Sequence, residues 1–116
     1  MSILLFAGEW KLDASKRDKF QATPLHFAIL RREFSNIELL LSLDADVNAQ
    51  DFIGQSPLHL AVNQLGKNPD YYDEYKKIIK ELCFKGADRT LKTREGLTPR
   101  ELLENYEEDM DEDEYK

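Results

Sequence analysis

The side chains best suited to chemistry are His26, His59 and Cys83, the two histidines and the single cysteine of a 116-residue chain. Zinc takes three or four N, S or O ligands, and no Cys or second His lies at ligand spacing from either histidine. Cys83 has no evident paired base and is expected to be buried, which disfavours a nucleophilic thiolate. No glycine-rich loop is present to cradle a phosphate. These residues therefore point to no catalytic, cofactor or metal site, and the chain reads as a non-enzyme. The informative property of the histidines is their separation of 33 residues in matching surroundings.

Those surroundings are Thr23-Pro24-Leu25-His26-Phe27-Ala28 and Ser56-Pro57-Leu58-His59-Leu60-Ala61. A hydroxyl residue followed by Pro opens a helix efficiently. The side-chain oxygen caps an orphan N–H, and Pro at the first helical position needs no N–H partner. A second signature also recurs: Leu39-Leu40-Leu41 runs into Asp44-Ala45-Asp46, and Leu82-Cys83 runs into Gly86-Ala87-Asp88. In this hexapeptide and this period the chain resembles the ankyrin-repeat family. The resemblance implies an all-α solenoid of stacked helix-turn-helix units with projecting β-turn fingers. It also implies that each histidine hydrogen-bonds near its helix start and links repeats.

The expected organisation is one domain, with a partial repeat over 1–17 and full repeats over 18–50 and 51–92. A capping repeat over 93–110 and an acidic tail over 111–116 follow. The second full repeat is longer, since Leu25 to Ala45 spans 20 residues and Leu58 to Ala87 spans 29, a nine-residue insertion. Gly66-Lys67-Asn68-Pro69-Asp70 is expected to break the first helix there, with Asn68 capping the next, so that the second helix grows by about two turns. The third start, Thr98-Pro99-Arg100-Glu101, keeps cap and Pro but puts Arg100-Glu101 where the family has Leu-His, as suits the end of a stack. At the front, Ser2 to Gly8 reads as the second helix of an incomplete repeat, with Trp10 in a short insertion after it. That half repeat is either a natural cap or part of a longer array.

Stripes Leu25, Ala28, Ile29 and Ile37, Leu40, Leu41 should meet within the first repeat, as should Leu58, Ala61, Val62 and Ile79, Leu82, Cys83 within the second. With so few repeats, marginal stability is expected. The net charge of −7 is concentrated in residues 104–116, where eight acids face Lys116, whereas residues 1–103 carry 15 acids and 15 bases. A neutral body argues against nucleic-acid binding, since phosphate contacts need a basic stripe. The chain has no apolar run of about 18 residues to span a membrane. A lone cysteine fits a reducing, intracellular and cytoplasmic setting.

The resemblance implies binding of another protein through finger tips and the exposed side of the first helices. On this chain these are Lys19 and Phe20; Phe52, Ile53 and Gln55; Arg94 and Glu95; and, on the helices, Leu30, Arg31, Asn63 and Gln64. Ala22 and Leu97 complete the tips. Tyr72 and Tyr75, with Tyr71, either add an aromatic contact patch or cover the lengthened helix pair. Gly54 and Gly96 are expected at positive φ in their fingers, with Gln21 in the same place in the first. The tail either solubilises the last repeat or attracts a basic partner. Two other functions stay open: an acidic inhibitor or antitoxin-like protein, and the ankyrin segment of a larger enzyme, channel or acyl-CoA-binding protein.

Overall fold

The structure, a computed structural model, describes residues 15–104. The expected N-terminal partial repeat up to residue 14, and the tail beyond residue 104, lie outside the described residues. Four α-helices and one 3-10 turn follow in order: α1 Pro24–Leu30, α2 Phe34–Ser42, α3 Pro57–Lys67, the 3-10 turn Pro69–Tyr71 and α4 Tyr72–Phe84. Residues 99–104 begin a further helix, and no strand occurs among the described residues. Helix α1 packs on α2 and on α3, and α3 packs on α4, so two helical hairpins lie side by side.

Helices α1 and α3 start where the hydroxyl-Pro pairs predict. Thr23 and Ser56 are N-caps in extended backbone, and each closes a reciprocal capping box with the histidine three residues on. The third start does the same with different chemistry. Glu101 accepts from Thr98 N and Thr98 Oγ1, both at 3.0 Å, while Thr98 Oγ1 accepts from Glu101 N at 3.3 Å. These bonds hold the Glu101 carboxyl below its usual pKa.

The core joins the two hairpins. Leu25, Ile29, Ile37 and Leu40 of the first are enclosed with Leu58, Ala61, Tyr75, Ile78 and Leu82 of the second. Ile79 and Cys83, expected among the core pairs, are only partly buried. They line a groove on the far side of the second hairpin.

The nine inserted residues are shared out differently from expectation. Helix α3 has 11 residues against 7 in α1, and α4 has 13 against 9 in α2. Each helix thus gains about one turn, and the connection gains one residue. Gly66 and Lys67 remain helical, because a longer α3 can pack against a longer α4 and this outweighs the weak helix propensity of one glycine. Asn68 stands at the expected N-cap position of the 3-10 turn, with Pro69 next and the Asn68 carbonyl accepting from Tyr71 N at 2.9 Å, but its side chain makes no cap bond there. Its Nδ2 donates back to Gln64 O at 3.1 Å and Gln64 Oε1 at 3.0 Å, closing the end of α3 instead.

The added turns lie over the α1–α2 connection. Arg32, at φ +56°, places its guanidinium 3.7 Å from the Tyr71 ring centre and 3.7 Å from Glu74 Oε2. Lys77 lies 4.1 Å from the Phe34 ring centre. Tyr75 reaches across to donate its hydroxyl to Leu30 O at 3.4 Å. The insertion therefore braces the first repeat from its neighbour.

Candidate protein-interaction surface

Three turns repeat one hydrogen-bond plan. Asp18 Oδ1 accepts from Phe20 N and Ala22 N, and Asp51 Oδ1 accepts from Ile53 N and Gln55 N. Thr93 Oγ1 makes the last of these bonds in the third turn, accepting from Leu97 N. The backbone closes each turn, with Asp18 N, Asp51 N and Thr93 N donating to Ala22 O, Gln55 O and Leu97 O at 2.9–3.0 Å. Asp and Thr side chains suit such turns because they satisfy backbone donors locally.

Neighbouring turns then join edge to edge. Phe52 N donates to Phe20 O at 3.0 Å, and Arg94 N donates to Ile53 O at 2.9 Å. Gln50 Nε2 donates to Gly54 O and Lys92 O, both at 3.0 Å. Gln21, Gly54 and Gly96 occupy the expected positive-φ position, at +63°, +83° and +84°. A Cβ on Gly54 would stand 2.8 Å from Arg94 N, whereas one on Gly96 would meet nothing within 4 Å. Glycine at 54 therefore serves the close approach of the third turn as well as the dihedral.

The histidines fasten turns to helices. The Nδ1 of His26 accepts from Thr23 N at 3.1 Å and its Nε2 bonds Gln55 O at 2.9 Å. His59 repeats this with Ser56 N at 3.2 Å and Leu97 O at 2.9 Å. A carbonyl can only accept, so each ring is neutral with its proton on Nε2. Burial holds both pKa values below the usual 6.5, against the opposing pull of those carbonyl bonds. Chemistry at the rings is blocked, since both nitrogens are occupied and both side chains are enclosed. Among the described residues, no cluster of three or more His, Cys, Asp or Glu side chains forms a metal site.

The turns carry an apolar ridge. Phe20 is 50% exposed, Phe52 51% and Ile53 39%, and the two phenyl centres lie 5.8 Å apart. Lys19 Nζ stands 5.2 Å from the Phe20 ring centre, and Arg94 donates a guanidinium N–H to Phe52 O at 3.2 Å. Glu95 is exposed beside Arg94. Gln55 is less available. It is half-buried, its carbonyl receives His26, and its Oε1 is buried without a partner among the described residues.

The remaining predicted residues lie away from this ridge. Leu30 and Arg31 are exposed at the far end of α1, while Asn63 and Gln64 are half-buried along α3. Tyr72 is exposed at the start of α4. Tyr75 is corrected: with 0% exposure it is core, because it fills the space between α4 and the first hairpin. Sequence reasoning passed over Phe27, an exposed aromatic on α1 whose counterpart Leu60 is buried. Its signal was a bulky apolar residue off the Leu25-Ala28-Ile29 stripe.

Comparison with known sequences decides the family. The family model described as ankyrin repeats (many copies) matches residues 9–61, and that of the single ankyrin repeat matches residues 53–94. The chain belongs to the ankyrin-repeat family. Protein phosphatase 1 regulatory subunit 27 of Homo sapiens is 32% identical over 85 residues, 72% of this chain and 49% of that protein. The Mus musculus protein of the same name is 31% identical over 80 residues, 69% of this chain and 46% of its own. NF-kappa-B inhibitor alpha of Sus scrofa is 40% identical over 48 residues, 41% of this chain and 15% of the inhibitor. The chain thus spans about half the length of the first two relatives. In ankyrin terms the turns are the fingers, the ridge is a row of finger tips, and the whole is a protein–protein interaction module. No described helix is long and apolar enough to cross a membrane.

Proposed function

We propose that this ankyrin module binds a partner protein through its finger ridge, with Phe20, Phe52 and Ile53 as anchors and Lys19, Arg94 and Glu95 at the rim. The observation that carries the reading is three exposed apolar side chains on turns already joined by backbone hydrogen bonds. Isolated exposed apolar residues are ordinary, but a contiguous group on a preorganised edge loses little entropy on association. Leu30, Arg31, Asn63, Gln64 and Phe27 extend the contact along the first helices, and Tyr72 and Gln55 are peripheral to it. The partner reads the module as a rigid shape, and no chemistry takes place on it. A protein phosphatase 1 regulatory subunit and an NF-kappa-B inhibitor, as their names describe them, support a regulatory rather than catalytic task. The single free thiol, Cys83, suits a reducing intracellular compartment.

The test is capture of the partner from the source cell by the parent chain and by the Phe52→Ala, Ile53→Ala variant, followed by titration of the partner so identified. Loss of two central anchors should weaken affinity at least about ten-fold. Equal affinity of the folded variant would remove the ridge from the binding site.

A further inference from the structure

The fingers divide their charges between the base of each turn and its open edge. Asp18 and Asp51 are half-buried, and one oxygen of each accepts two backbone N–H groups of its own turn. Arg17, Lys19 and Arg94 are exposed, and none of them has an ion pair among the described residues. Glu95 is the exposed acid beside them. Two of the three carboxylates are thus committed to holding the turns, and the ridge offers solvent mainly cations.

The two arginines stand at the seams between fingers. Arg17 Nη1 bridges the first and second, donating to Gln21 O at 3.2 Å and to Gln50 O at 2.8 Å. Arg94 Nη1 reaches back from the third finger to Phe52 O at 3.2 Å. Each guanidinium is held through one nitrogen, and its Nε and Nη2 donors make no further bond among the described residues. A guanidinium carries its N–H donors in a rigid fork that matches the two oxygens of a carboxylate. Fixing one end on a carbonyl also removes part of the rotamer freedom that a surface arginine would lose on binding.

We infer that the partner presents an acidic segment to the ridge, with carboxylates on Arg17 and Arg94 and aromatic or aliphatic side chains on Phe20, Phe52 and Ile53. The inference rests on the finger ridge being the binding surface and gives that surface a chemistry. Lys19, 5.2 Å from the Phe20 ring centre, adds a third cation beside the apolar row. A basic segment would bring like charges onto all three and would find Asp18 and Asp51 already engaged. A single-stranded nucleic acid needs open ring faces for its bases. Phe20 and Phe52 tilt at 40° with centres 5.8 Å apart, too close to admit a base between them, and Ile53 has no ring. The chain's net charge of −7 does not decide the matter, because at about 0.15 M salt charges act over only about 8 Å.

A displayed library of random peptides, panned on the intact chain at about 0.15 M NaCl, tests this without assuming a ligand. Recovered peptides are titrated against the intact chain and against Phe52→Ala, Ile53→Ala. Those that depend on the ridge should be rich in Asp and Glu as well as in apolar residues. Exchanging their Asp and Glu for Asn and Gln should weaken binding at least about ten-fold, with the protein unaltered. The variant Arg17→Gln, Arg94→Gln, checked for unchanged helical signal, should weaken the same peptides by a similar factor. Neutral or basic ridge-dependent peptides, unchanged affinity after amide exchange, or full affinity of the glutamine variant would each overturn the inference and leave the ridge standing. If every recovered peptide is indifferent to Phe52→Ala, Ile53→Ala, or none is recovered, the ridge itself falls and the inference with it. Tighter binding of a fluorescein-labelled oligothymidylate than of the best peptide would overturn it in favour of nucleic acid.

Discussion

The two full repeats share one skeleton and differ in how they are held. Both open with a hydroxyl-Pro cap, both bury a neutral histidine against the next finger, and both turn through an Asp-bridged tip. Yet α1 and α2 are 7 and 9 residues long, short for helices that must stand alone. Their counterparts, α3 and α4, are 11 and 13 and extend over the first repeat's connection. The hydrogen-bonded frame is therefore generic and the support is uneven. The longer repeat braces the shorter through Tyr75, Tyr71 and Arg32.

That asymmetry can be broken most directly at Tyr75. Truncation to Ala should cost about 3–5 kcal/mol by analogy with other buried aromatics, and chemical denaturation would read it. A loss below about 1 kcal/mol would mean that the second hairpin does not brace the first. Next in size is a contrast between fingers. Gly54→Ala should cost about 2–4 kcal/mol, since it adds a clash with the third finger to an unfavourable positive φ. Gly96→Ala at the same φ but in open space should cost about 1 kcal/mol. Equal losses at the two sites would show that only the dihedral matters.

A graded effect is expected from pH. Each histidine's folded pKa lies below its usual 6.5, so the unfolded chain binds more protons as acid is added. Stability is complete above pH 6.5 and is lost as pH falls toward the lowered folded values. The urea midpoint should therefore drop between about pH 7.5 and pH 5.5, and a flat profile would show that the buried rings accept protons freely. The smallest effect belongs to Tyr72→Ser, which should change stability by less than about 0.5 kcal/mol because the ring lies at the surface. A loss as large as that from Tyr75 would place both rings in the brace.

The frame was legible because it depends on local rules. A Thr or Ser before Pro sets a helix start, and a His three residues later at a fixed period sets its partner. Gln21 showed that the rule extends to the backbone, since the chain takes the same positive φ there without glycine. The division of the insertion was not legible. Gly66 and Pro69 are local turn signals, whereas the end of α3 depends on what the added turn of α4 offers it. Asn68 holds the N-cap position that its sequence suggests, but its side chain closes the helix before it, because a cap residue can serve either neighbour. At the candidate site, Phe20, Phe52 and Ile53 were legible as apolar residues in turns. Tyr75 was not legible as core, because burial on a lengthened helix depends on the neighbouring hairpin.

The histidine-to-finger bonds have a consequence for how this chain can be divided. His59 finds its acceptor at Leu97, and Arg17 donates to the carbonyl of Gln50 at 2.8 Å. A fragment cut at the repeat boundary after residue 92 would strand a buried imidazole N–H, and one begun after residue 17 would lose that arginine's tie. The hydrogen-bonded unit is thus out of phase with the sequence period and reaches into the finger of the repeat that follows. Protease-resistant fragments, domain swaps and grafted arrays made from this chain should respect joints near 17 and 97 rather than the edges of the repeats.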